Sequence, residues 1–327
     1  MKDNEFLFLT SMIRAREVRM LGIDRINRML EASGFDDAAK TLVDCGYPDM
    51  STMGMSQIDA VLENCRNELF DEFAYYAYVL DILDLFRMKY DYHNAKVLVK
   101  SEGAQIEADY LLSDSGRIES QLLREAFLTN EYDGVAPAIA QAIENAVGVL
   151  SRTADPQLAD IEIDKAYFSE LITHGKKMKN KFISEYIRFL VDSANLRIFV
   201  RSARTGKNAD FLIGTLIADG SLSIEQMASS YEEGTIPPYT DEAFALPVRL
   251  AAEAMGGGSQ TAFELACDNA VLQYVTNTKF ISFGPAPIIT YFAKLEWELT
   301  VIRMILTGKY SGIPADVIRE RLRECYV

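Results

Sequence analysis

Residues 182–201 read FISEYIRFLVDSANLRIFVR, and the fold follows from how this stretch is read. Phe182, Ile183, Tyr186, Ile187, Leu190, Val191, Ala194 and Ile198 recur at helical spacing, which predicts one broad apolar face. Arg197 and Arg201 fall on the same face, one turn apart. An unpaired charge on a core face costs about 3–5 kcal/mol, so such a helix either meets an acid from elsewhere or lines a wet cavity.

The pattern occurs three times. Asp192, Asn195 and Arg197 precede Ile198, Phe199, Val200 and Arg201; Asp91, Asn94 and Lys96 precede Val97, Leu98, Val99 and Lys100; Glu298, Val301 and Arg303 precede Met304, Ile305, Leu306 and Thr307. The acids recur at intervals of about a hundred residues, the signature of an internally repeated architecture. A polar break follows each copy: Asp114-Ser115-Gly116 before Ile118, Asp219-Gly220-Ser221 before Leu222, and Gly312 before Ile313 and Pro314. The expected organisation is three similar helical units, roughly 1–115, 116–220 and 221–327, with exchange of helices between them allowed.

With 49% apolar and 25% charged residues, the 327-residue chain has the balance of a soluble globular protein. A net charge of −15 argues against nonspecific binding to nucleic acid or anionic lipid and fits a basic protein partner. Cys45, Cys65, Cys267 and Cys325 are scattered, with no CxxC or Cys/His cluster, so free thiols and a cytosolic setting are expected. Asp3, Asn4, Glu5, Arg14 and Arg16 interrupt the N-terminus, which speaks against a signal peptide. No apolar run approaches the roughly 20 residues of a membrane helix.

Helical patterns cover 5–32, with breaks at Gly22 and Gly34, then 35–43, and then 57–100 as one helix or two joined near Tyr90. The aromatic run Phe73, Tyr75, Tyr76, Tyr78 reads as packing. Further helical segments are expected at 106–112, 118–127, 135–150 and 159–174, the last leading into a solvated basic end at Lys176, Lys177, Lys179 and Lys181. Ser223 and Gln226 have capping-box spacing. Gly234, Pro237 and Pro238 mark one loop, and Gly256-Gly257-Gly258-Ser259 a second, a candidate hinge; no strand precedes that second loop and no Lys-Ser/Thr follows it, so it is not read as a phosphate loop. After Gly284, Pro285 and Pro287, the positions Ile288, Phe292, Leu295, Leu299, Ile302 and Leu306 form a narrow seam of the coiled-coil kind, ending at Gly308, and 314–325 closes the chain with a short helix. Alternating apolar and polar segments are too short for strands, so the fold class is all-α.

The two histidines, His93 and His174, belong to no Ser-His-Asp order or HExxH motif, and no Walker loop or nucleophile elbow occurs. Acid and base of each copy are five residues apart, on different sides of a helix, which suits cross-helix pairing better than an active-site dyad. No catalytic residue, cofactor site or metal site is assigned, although a carboxylate pair hidden among 48 acids would make a hydrolase or lyase.

Arg14-Ala-Arg16, the stretch ending YHNAKVLVK, the block 192–201, and the run from Gly284 through Pro287 to Arg303, Gly308, Lys309, Gly312 and Pro314 together resemble the C subunits of bacterial and archaeal V-type (A/V-type) ATPases and ATP synthases, a family related to the d subunit of the eukaryotic V-ATPase. The resemblance extends over essentially the whole chain and departs at Val301, where the other copies carry Asn94 and Asn195. It implies a funnel of three helical bundles around a pseudo-threefold axis, peripheral to the membrane on the cytoplasmic face of a proteolipid rotor ring. It also implies that the funnel receives the central shaft, made by the D and F subunits, and couples rotation without catalysis. On that reading Asp91, Asn94, Lys96, Lys100, Asp192, Asn195, Arg197, Arg201, Glu298 and Arg303 are structural or cavity-lining. Lys96, Arg197 and Arg303 either pair with acids of neighbouring repeats or project into the cavity. The alternative is a helical-repeat adaptor or scaffold with no rotary role.

Overall fold

A computed structural model describes residues 6–277, 281 and 283–322; Asp3, Asn4, Glu5 and Cys325 lie outside them. Among the described residues every regular element is helical. In chain order these are α1 (Leu7–Glu17), α2 (Ile23–Glu31), α3 (Phe35–Lys40), α4 (Met55–Ala74), α5 (Leu80–Ala104), α6 (Ser120–Thr129), α7 (Pro137–Thr153), α8 (Pro156–Met178), α9 (Lys181–Arg204), α10 (Ala209–Thr215), α11 (Ile224–Glu232), α12 (Ala245–Met255), α13 (Gln260–Thr276), α14 (Ala286–Tyr310) and α15 (Ala315–Arg319). Two compact units are present. One is discontinuous, made of residues up to Cys65 together with those from Arg188 onward; the other runs from Arg66 to Ile187. The divisions fall inside α4 and α9.

The discontinuous unit is organised on α14. Pro285 stands at its N-cap and Pro287 in its first turn, where a missing N–H costs nothing. All six residues of the expected seam are at most 4% exposed. The burial is wider than a seam, however: 284–293 is buried without interruption. Helices α1, α3, α13 and α15 all pack on α14, and so occupy the sides that a two-stranded seam would leave to solvent. Burying one such apolar side chain contributes about 1.5–3 kcal/mol. The helix runs on past Gly308 to Tyr310. Phe199, Leu212, Leu216 and Met227 form a second apolar cluster between α9, α10 and α11. The expected capping box holds α11: Ser223 Oγ accepts from Gln226 N–H at 3.2 Å, and Gln226 Oε1 accepts from Ser223 N–H at 2.9 Å. Ser259 likewise ends the triple-glycine loop by capping α13.

In the continuous unit α5 packs along α6, α7 and α8. Close approach depends on small residues: a Cβ on Gly103 would overlap Leu150, and one on Gly175 would overlap Ile187. Lys179, in left-handed conformation (φ 49°), ends α8 within the lysine run.

Three local expectations need correction. The 57–100 pattern breaks at Tyr75–Val79, not near Tyr90, where Tyr76 turns extended (φ −97°, ψ 98°) within a run of aromatic and β-branched residues that favour the helix only weakly. Phe73 of that run is fully buried, whereas Tyr75 is 86% exposed, its ring set edge-on to Tyr76 at 5.4 Å. In α9, Leu196, Phe199 and Val200 are fully buried while Ala194 and Ile198 are half-buried, so its second half turns inward a face that the apolar series does not mark. Cys45, Cys65 and Cys267 are free thiols; burial pushes Cys267 up to about 12.

Candidate functional site

The three repeated acids occupy equivalent buried positions on α5, α9 and α14: Asp91 is 0% exposed, Asp192 2% and Glu298 3%. Each fixes the loop that enters a short helix. Asp91 Oδ1 accepts the backbone N–H groups of Arg117 (2.9 Å) and Ile118 (3.1 Å), and its Oδ2 accepts Arg117 Nε at 2.6 Å. Asp192 Oδ1 accepts Ser221 N–H at 2.7 Å, and its Oδ2 accepts the Ser221 hydroxyl. Glu298 Oε2 accepts Leu21 N–H at 2.8 Å, and its Oε1 accepts the Tyr47 hydroxyl at 2.7 Å.

The asparagines complete two of these clamps in the same way. Asn94 donates to Ser113 C=O and accepts Ser113 N–H, both at 2.8 Å. Asn195 makes the same two bonds, also at 2.8 Å, to Ile217. A carboxamide that pairs with both polar groups of one peptide mimics a sheet pair and leaves neither group unsatisfied in the core. Val301, 1% exposed, fills the third position with an apolar side chain.

Glycine is required where the acid approaches the loop. A Cβ on Gly116 would fall on Asp91 Oδ1, and one on Gly220 would lie 2.7 Å from Asp192 Oδ1. The residue before Leu21 is Met20, which carries a Cβ, and there the acid is the longer glutamate. The third loop is therefore not the one at Gly312, as the chain order suggests. It comes from the N-terminal segment, between α1 and α2, 277 positions away from Glu298. The third copy is completed by the opposite end of the chain.

The bases also behave alike. Lys96 pairs with Asp164 on α8 at 2.5 Å. Arg197 pairs with Glu264 (2.5 Å) and Asp268 (2.7 Å) on α13, and also donates to Ser193 Oγ at 2.6 Å. Arg303 pairs with Asp59 on α4 at 2.6 and 3.1 Å. Of the two outer bases, Lys100 reaches Asp160 at 3.2 Å and Arg201 is exposed.

Burial sets the electrostatics. It raises the carboxyls of Asp192 and Glu298 above their ordinary range, and also that of Asp91, where Arg117 opposes it. Burial works against the charge of Arg197, but Asp268 and Glu264 outweigh it and hold the guanidinium charged. At Glu170 burial is likewise outweighed, by hydrogen bonds from Arg117 (2.8 Å) and Tyr92 (2.7 Å), and the carboxyl stays below its usual value. These carboxylates are occupied by backbone, hydroxyl and guanidinium donors, so the arrangement fastens loops and helices. Among the described residues no three His, Cys, Asp or Glu side chains gather as metal ligands, and no helix is long and apolar enough to cross a membrane.

Several participants escape a reading of the motif alone: Arg117, Glu170, Tyr92, Ser221, Tyr47 and Leu21. The partner acids were within reach of it, since Asp59, Asp164 and Glu264 recur at the same interval of about a hundred residues.

The model of one family, the ATP synthase (C/AC39) subunit, matches residues 9–321. The chain is similar to the C subunit of the V-type sodium ATPase of Enterococcus hirae, with 21% identity over 98% of this chain and 99% of the relative. It is also similar to the C subunit of the V-type ATP synthase of Thermus thermophilus (20%, 98% of each chain) and to that of the A-type ATP synthase of Pyrococcus horikoshii (21%, 99% of this chain and 91% of the relative).

Proposed function

The chain belongs to the ATP synthase (C/AC39) subunit family, and on that premise we propose that it is the non-catalytic central-stalk coupling of a V/A-type rotary ATPase. In this reading it lies on the cytoplasmic face of the membrane, against the proteolipid ring, and seats the end of the shaft made by the D and F subunits. It passes torque between ring and head while handling no nucleotide itself. Three helical units, near 1–115, 116–220 and 221–327 with short helices exchanged, surround the seat as a funnel.

The observation that carries this reading is the threefold recurrence of one device: a buried acid holding a loop, and a base tied to the helix that precedes the next long helix. A coupling under torque must not creep, and close-packed helices with their loops fastened into the core deform little. With boundaries at 115 and 220, each base–acid pair joins one unit to the next, so a load on one unit is shared by all three.

The test is reconstitution with purified shaft (the D and F subunits) and purified ring. The expected result is one copy per ring, retained when the ATP-handling head is stripped away, with the shaft bound to the same copy. A well-folded chain that binds neither, or that loads several copies per ring, overturns the reading and favours a repeat adaptor. ATP turnover by the isolated chain overturns its non-catalytic part.

A further inference from the structure

We infer that the third clamp, at residues 18–22 against Glu298, is a built-in point of yielding: it opens in the native protein while the other two stay closed. Four observations converge on it.

The first is the count of bonds. The Asp91 and Asp192 clamps each carry an asparagine that holds both polar groups of a loop residue. Val301 offers none, and the third loop has only Arg25 Nη1 in its place, donating to the carbonyls of Arg19 and Met20 at 3.2 Å each in more exposed surroundings.

The second is reach. Gly116 and Gly220 bring their loops against a short aspartate, whereas the third loop has Met20 in the glycine's place and is held by the longer Glu298. A longer side chain has more rotamers to lose when it closes.

The third is tethering. In the first two clamps the bonded groups lie between 19 and 29 residues apart, so an opened loop stays close to its acid. Leu21 and Glu298 are 277 positions apart, so reclosing depends on how α1 and α2 are seated in the fold and not on a short covalent tether.

The fourth is room. A pocket of about 320 Å³ lies at the clamp itself, lined by Glu17, Leu21, Gly22, Thr276, Lys294 and Glu298. A loop with adjacent free volume can move without displacing close-packed neighbours.

The helices on either side are firmly seated. Phe6, Leu9 and Ile13 of the N-terminal segment and Ile26, Met29 and Leu30 of α2 are fully buried. Lys309 Nζ donates to the carbonyls of Leu30 (2.6 Å) and Ala32 (2.7 Å), at the C-terminal end of α2. The opening is therefore local to the loop, and its seat is kept for return. It requires nothing of the shaft or the ring and stands apart from the proposed function.

Native-state hydrogen exchange of the whole chain, without partners, tests it. After correction for intrinsic rates, the Leu21 amide is expected to exchange roughly tenfold faster or more than those of Ile217, Ser221, Ser113 and Arg117, the order of factor that the asparagine bonds of the sister clamps supply. Equal or slower exchange at Leu21 overturns the inference. Tyr47→Phe removes one donor to Glu298 and should speed Leu21 a further several-fold while leaving Ser221 unchanged. If both amides shift together, or neither does, the clamp is not an independent opening and the inference is again overturned.

Discussion

Replacing the repeated base by methionine at each of its three positions should cost stability in the order of burial, not of charge. The side chains of Arg197, Glu264 and Asp268 are 24%, 33% and 32% exposed. Breaking a fully buried pair costs about 3–5 kcal/mol and breaking an exposed one about 0–1. A pair from which solvent is mostly but not fully excluded falls between, so Arg197→Met should cost about 2 kcal/mol, chiefly because Glu264 and Asp268 lose their neutralising guanidinium. Arg303 and Asp59 are 63% and 40% exposed, and Arg303→Met should cost under about 1 kcal/mol. Urea unfolding followed by the fluorescence of Trp297, the one tryptophan, reports on the discontinuous unit that contains both bases. With an m-value of about 2–3 kcal/mol/M, the midpoint should fall by roughly 0.7–1 M for Arg197→Met and by less than about 0.5 M for Arg303→Met, at unchanged m. Adding Glu264→Gln and Asp268→Asn to Arg197→Met should recover more than half of the loss. Equal shifts at the two arginines, or no recovery on neutralising the acids, would refute the assignment of the cost to uncompensated charge.

Further outcomes follow from the clamps and caps. Asn195→Ala strands both polar groups of Ile217 in the core and should lower stability by about 2–3 kcal/mol in the same urea assay. Gly220→Ala drives a methyl group onto Asp192 and Val191 and should cost about 1–3 kcal/mol by thermal melting. Asp192→Asn keeps the bond from Ser221 N–H, reverses the second so that Nδ2 donates to Ser221 Oγ, and removes the buried charge. Because burial raises the folded pKa of Asp192, its contribution is full below the ordinary carboxylate range and is lost as pH rises through the raised value. The melting advantage of Asp192→Asn over wild type should accordingly grow from pH 4 upward; a gap that is flat or shrinking counts against the buried charge. Ser223→Ala should cost about 1 kcal/mol through the α11 cap, read from the same melts.

Much of this architecture is legible in the residues. The step of four and three through Ile288, Phe292, Leu295, Leu299, Ile302 and Leu306 marks a helix whose named positions are all buried. Ser223 and Gln226 announce their cap because both partners lie within four residues. The break at Tyr75–Val79 is hidden, since no glycine or proline marks it and aromatic residues oppose the helix only weakly. The clamps are half visible. Acid, asparagine and the following glycine each stand out in the sequence, but their meeting across 19 to 29 residues is a tertiary fact that periodicity does not encode. The exchange of the third loop is harder still, because the nearest break, at Gly312, is the natural choice, and only the bond from Leu21 to Glu298 points elsewhere. Arg117 looks like any surface arginine until the fold sets it between Asp91 and Glu170.

The discontinuous unit has a consequence for biosynthesis. Helix α1 and α3 pack on α14, yet the ribosome makes α1 first and α14 nearly last. At 5–20 residues per second, the 277 positions between Leu21 and Glu298 take roughly 15–55 s to translate. During that interval Phe6, Leu9 and Ile13 lack their native cover, and residues 66–187 are completed as a unit before α14 is made. The first helices of the discontinuous unit thus wait, uncovered, for the helix that buries them.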